Sequence, residues 1–148
     1  MNNTKTYSLL TYFILGIFSF FFNFWVSNKG VFPIDTFLHY DSAYKILNGE
    51  IPVRDFWVIH GLTIDYIQSI FFYFFGTNWI SYIAHSSIFN CIMTLLIFNF
   101  FKKLEINILY ALILSICFSV LAYPISGVPF IDHHSTFFSI IGLLCFFY

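Results

Sequence analysis

The stretch SLLTYFILGIFSFFFNFWV, from Ser8 to Val26, carries no charged residue from end to end. As a helix rising about 1.5 Å per residue it nearly matches the roughly 30 Å hydrocarbon core of a bilayer. The reading that follows is a membrane-embedded chain, and the rest of the sequence agrees. Of its 148 residues, 59% are hydrophobic, 24% aromatic and 9% charged, where soluble domains carry about 25% charge. Mean hydropathy is +0.84. The segment before the run carries only Lys5, and no small-x-small cleavage site follows it, so the run reads as an uncleaved anchor rather than a signal peptide. A net charge of −1 provides no electrostatic attraction to nucleic acid.

Further spans lie downstream. Trp79 to Phe101 is long enough to cross with some tilt, Ile106 to Tyr123 is just long enough, and Lys102, Lys103 and Glu105 separate the two. The apolar stretch at 62–75 would cover only about 21 Å as a helix and contains Asp65, Gln68 and Ser69, so it is short for a span. If it crosses, Lys102 and Lys103 fall opposite Lys5. If it only dips into the interface, all three lysines share the cytoplasmic side, which the positive-inside tendency favours. In the second arrangement the loop at 27–61 and the later loop from Pro124 to His134 face outward together. A last apolar run at 135–148 covers about half a bilayer with no closing anchor, and reads as a truncated product or a fragment. The expected fold is therefore an all-α polytopic membrane protein forming one domain over 1–148, with spans near 8–26, 79–101 and 106–123 and a partial span at 135–148.

Most of the charge lies in one place. Eight of the charged side chains fall between Lys29 and Asp65. Within that island Phe37, Tyr40, Tyr44 and Leu47 recur at helical spacing after Asp35 and before Gly49, predicting a short amphipathic helix on the membrane surface, capped by Asp35 and stopped near Gly49. Next comes GEIPVRDFWVIHG, where Pro52 forces an extended turn and Arg54 and Asp55 adjoin the interfacial anchors Phe56 and Trp57. Cys91, Cys117 and Cys145 each lie inside an apolar run without ligand spacing, as small buried hydrophobes do. No repeat, flexible linker or phosphate-binding glycine loop is present.

The stretch PIDTFLHYDSAYKILNGEIPVRDFWVIHGL resembles the first extracytoplasmic loop of the polytopic GT-C glycosyltransferases, the group that includes protein O-mannosyltransferases and the aminoarabinose transferase of lipid A. Asp35, Gly49, Pro52, Asp55 and the Gly61-Leu62 pair fall at places matching that loop, and Asp132 in VPFIDHHSTFF resembles the second outer-loop aspartate of the family. Thr36 stands where the family usually has Glu, and Leu62 where it has Pro. The resemblance spans roughly residues 33–135. It implies transfer of a sugar from a polyprenyl-phosphate donor to a hydroxyl of a glycan, lipid or protein acceptor, on the outer face of a bacterial inner membrane.

That chemistry needs a carboxylate to take the acceptor's proton and cationic groups or a metal ion to stabilise the leaving phosphate. Asp35 is the candidate catalytic base, with a plain helix cap as its structural alternative. Arg54 is the better candidate for holding phosphate, with Lys45 second. Arg54 and Asp55 also read as an exposed ion pair. Asp41 and Asp132 are candidates for acceptor, sugar or a divalent cation. His85, with Ser86, Ser87 and Asn90 beside it inside a span, is either a phosphate contact or an interhelical hydrogen-bonding group. His133 is expected to line the loop beside His134, because adjacent histidines point apart and no third ligand spacing is present; no metal-ligand set is expected. Asp65 reads equally as a helix cap or a cavity-lining group. The alternative to an enzyme is a non-catalytic multi-pass protein, such as a transporter or assembly subunit, whose polar loop is a structured connection.

Overall fold

A computed structural model describes residues 2–30, 35–123 and 127–147, with side chains from Leu9 onward. Lys5's side chain and the residues Pro33 and Pro124 lie outside the described part. The described residues are helical: α1 Asn2–Ser27, α2 Thr36–Leu47, α3 Thr63–Phe75, α4 Trp79–Lys103, α5 Ile108–Leu121 and α6 Ile131–Cys145. Pro52 and Phe56 form an isolated bridge across the turn between α2 and α3. Two helices, α1 over Leu9–Ser27 and α4, are long and apolar enough to cross a membrane, and α5 is a shorter apolar helix.

The long helices run antiparallel. Tyr12 donates to Asn99, Ser19 meets Thr94, and Asn23 donates to Ser86 and Ser87, so residue numbers fall on α4 as they rise on α1. Gly16 permits the close approach, since a side chain there would press on Cys91 and Leu95. Lys102, over the ring of Tyr12, therefore lies at the end where α1 begins. α6 runs parallel to α4: His134 meets His85, Phe138 meets Phe89, and Phe147 packs on Phe100 while its carbonyl accepts from Lys103.

α3 does not traverse the length of α4. Gly76, with φ of +81°, and Asn78, whose side chain accepts from the Ser81 amide, reverse the chain sharply between them. α3 folds back on the first half of α4, where Gln68 and Phe71 touch His85. Of the two arrangements open from the sequence, this geometry is that of the short segment confined to one end.

Side-chain polarity is inverted. Among the described residues, buried polar side chains outnumber buried apolar ones, while Leu9, Phe13, Phe21, Trp25, Tyr73 and Phe74 are all more than half exposed. Along α4 a polar stripe of Ser81, His85, Ser86, Ser87, Asn90 and Thr94 is buried. Three small apolar clusters sit at successive levels of α4, around Tyr82 and Ile83, around Met93, and around Phe98.

Two sequence expectations need correcting. On α2 the buried residues are Thr36, His39, Ser42 and Ala43, not the aromatic stripe; Phe37 and Tyr44 face outward, because the neighbouring helices offer hydrogen-bonding groups to the opposite face. Cys117 and Cys145 are exposed and Cys91 half-buried, all three free.

Candidate functional site

The polar groups of the bundle converge where α2, α3, the first half of α4 and the start of α6 meet. On α3 the buried residues Ile64, Asp65, Gln68, Ser69 and Phe72 form one helical face. That face delivers Asp65 and Gln68, one turn apart, to the interior. Asp65 does not cap its helix, whose N-cap position is Leu62. Its carboxylate, with no solvent exposure, is instead held between two imidazoles: His39 Nδ1 lies 2.7 Å from Oδ1, and His60 Nε2 lies 2.7 Å from Oδ2. The two rings meet edge to face with centroids 4.4 Å apart. One donor atom from each of these three residues lies within 4.8 Å of the others, so His39, His60 and Asp65 could hold a metal ion. The expectation that no ligand set is encoded is thus corrected: the set is spread over α2, a loop and α3, and short-range spacing does not display it.

A second chain of polar groups starts one turn along α3. Gln68 Oε1 lies 2.8 Å from His85 Nδ1, and His85 Nε2 lies 3.2 Å from His134 Nε2. His134 Nδ1 lies 3.1 Å from the Phe130 carbonyl. His85 is sandwiched by aromatic contacts with Phe71 and Phe89. His133 stacks on Tyr123 instead, 4.9 Å away, which is the divergence expected of adjacent histidines.

The candidates read from the sequence fall into separate places. Asp35 is half-buried at the N-cap position of α2, yet its side chain makes no capping hydrogen bond. Asp41 pairs with Lys45 one turn along α2, 2.7 Å apart and exposed. Arg54 donates to both oxygens of Asp55 from Nε and Nη2, at 2.8 and 2.7 Å. Asp55 also accepts from the Ile51 amide, and the Arg54 and Ile51 bonds hold its carboxyl at about 2, below the usual range. The hydrogen bond to Asp41 likewise raises the Lys45 ammonium above its ordinary value. Asp132 is exposed, and with His133 and Thr136 it lines a groove of about 480 Å³ between α5 and α6. Asp35, Asp41, Arg54 and Asp55 are not among the residues lining it.

The two segments that resemble the glycosyltransferase loops nonetheless meet. Tyr82 Oη lies 2.6 Å from the Thr36 carbonyl and 3.3 Å from that of Pro129, linking the residue after Asp35 to the loop before Asp132. The His39 ring faces Phe130 at 6.2 Å, and a side chain on Gly61 would touch Ile131. A cavity of about 170 Å³ lies at this junction, lined by Gly61, Thr63, Ile64, Ile131 and His134 among others.

His39, His60, Gln68 and His134 were not singled out from the sequence as site residues. A usable signal was present: a polar face on α3 within an otherwise apolar helix, and all five histidines set in an aromatic-rich chain. No family model, curated protein or solved structure matches the chain.

Proposed function

We propose that this chain is a multi-pass membrane glycosyltransferase of the GT-C kind, transferring a sugar from a polyprenyl-phosphate donor to an acceptor hydroxyl at the end of the bundle where α2, α3 and the start of α6 meet. The inverted polarity supports the membrane setting: a surface of Leu, Ile and Phe around a polar interior suits hydrocarbon surroundings, where buried hydrogen bonds hold helices together. Lys102 and Lys103 then mark the cytoplasmic end, and the island from Lys29 to Asp65 the outer one. The observation that carries the enzymatic reading is the junction at Tyr82, which joins the two segments of the resemblance although they are far apart in sequence. In this reading Asp35, whose carboxylate is not used in capping, is the base, and the donor phosphate approaches Arg54.

The second reading, a transporter or assembly subunit without transfer activity, draws on the buried stripe along α4. Incubating the protein in nanodiscs with polyprenyl-phosphate-linked hexoses and following release of polyprenyl phosphate separates the two. Release that falls at least about a hundredfold in Asp35→Asn, with the fold retained, supports transfer. Release indistinguishable from empty nanodiscs with every donor hexose, or undiminished in Asp35→Asn, refutes it.

A further inference from the structure

We propose that His39, Asp65 and His60 bind a divalent transition-metal ion of the zinc class, with three protein ligands and one coordination position open to water or an oxyanion. The proposal goes beyond sugar transfer and does not require it.

The arrangement is closer than packing alone demands. Each imidazole places one nitrogen 2.7 Å from a different oxygen of the same carboxylate. A tetrahedral ion with bonds of about 2.0–2.1 Å separates its ligands by about 3.3 Å. A movement of roughly half an ångström per group, within thermal amplitude, would admit the ion. His39 and Asp65 have no exposed side-chain surface and His60 only 6%, so the geometry is held by the surrounding helices.

Hydrogen bonding by itself leaves the centre incomplete. If an ionised Asp65 accepts a proton from each ring, the far nitrogens, His39 Nε2 and His60 Nδ1, are buried without a partner. A cluster serving only as structural glue is normally satisfied on all its polar atoms. Metal binding gives those nitrogens a role. Each neutral imidazole carries its proton on the far nitrogen, and the two inner lone pairs and the carboxylate go to the ion, with no net loss of protons. The single negative charge of Asp65, whose two oxygens face only imidazoles, is then more than balanced by the ion.

Donor chemistry selects the class of ion. Two imidazoles and one carboxylate suit zinc and its transition-metal neighbours, whereas magnesium and calcium take all-oxygen sets. Three protein ligands with a vacant fourth place are the pattern of catalytic rather than structural zinc. The 170 Å³ cavity is lined by Gly61 and Ile64, chain neighbours of His60 and Asp65. At about 30 Å³ per water it holds several waters, or one phosphate-sized group, beside the ion.

The test uses the purified chain in nanodiscs, stripped with a chelator and titrated with Co²⁺ and then Zn²⁺. One equivalent of cobalt should bind with the strong visible bands of tetrahedral coordination, and zinc should abolish them. His60→Gln, altered in a loop, should weaken zinc binding at least about a hundredfold, more than loss of an outer-shell partner costs, while Cys117→Ser binds normally. His60→Cys, which restores a ligand, should bind cobalt with an added thiolate charge-transfer band. Absence of stoichiometric uptake by the wild type overturns the assignment, as does uptake unchanged in His60→Gln or a His60→Cys spectrum without the new band.

Discussion

Gly127→Ala tests the joint on which the end of α1, the middle of α4 and the entry to α6 depend. Gly127 adopts φ of +61°, a left-handed conformation that costs a residue with a Cβ about 1–2 kcal/mol. A Cβ there would lie 2.9 Å from Ser27 Cα and 3.0 Å from Ser27 Cβ. The first contact is with backbone, so no rotamer change relieves it and the loop must lift from α1. Lifting it weakens the bonds that the Gly127 carbonyl accepts from Asn23, Ser27 and Ser86. In a membrane bundle each such bond contributes about 0.6 kcal/mol, or about 2 kcal/mol together. The expected loss is therefore about 3–4 kcal/mol, read as the unfolding free energy in mixed micelles. Ser27→Gly in the same chain removes the side-chain contacts but leaves both the 2.9 Å backbone approach and the backbone strain, so it should recover only part of the loss. A cost below about 0.5 kcal/mol for Gly127→Ala would refute the reasoning, because the loop could not then lie against Ser27.

Three further outcomes are expected. Tyr82→Phe removes the hydroxyl that reaches the Thr36 and Pro129 carbonyls; it should cost about 1–1.5 kcal/mol and raise hydrogen exchange at the start of α2, and unchanged exchange there would dissociate Tyr82 from the junction. A double-mutant cycle of Ser19→Ala and Thr94→Val, whose hydroxyls lie 3.0 Å apart, should give a coupling near 0.6 kcal/mol, the membrane-interior average; additive effects would separate α1 from α4 at that level. For Asp55, whose carboxyl is lowered to about 2 chiefly by the Arg54 hydrogen bond, the folded value lies below the unfolded one. Its contribution to the turn at 51–56 is complete above the ordinary carboxylate range and lost as pH falls through about 2. Protection of the Ile51 amide, which donates to Asp55, should decline across that window and show no such decline in Asp55→Asn.

Burial separates the site residues that sequence reading reached from those it missed. Arg54, Asp55 and Asp41 were conspicuous because they are charged and local, and they pair with neighbours one to four residues away. Asp65 was ambiguous, since a carboxylate at a helix start is compatible with capping, and only its position between His39 and His60 excludes that use. Those histidines come from α2 and from a loop, and no spacing rule links them to Asp65. Likewise the aromatic stripe of α2 suggested a buried face, but in a polar-cored bundle the buried face is the one with His39 and Ser42.

The sequence by itself determined that α1 and α4 are helices long enough to cross a membrane, where α2 and α3 run, and that charge gathers before Asp65. Each of these is a one-dimensional property: run length, helical period, the position of Pro, Gly and charged residues. Only the tertiary structure decided that α3 turns back at Gly76, that Gly127 sits against Ser27, and that His39, His60 and Asp65 share one centre. Those outcomes depend on which polar faces find partners across helices, because a buried carboxylate or imidazole must be satisfied by whatever group the fold brings to it.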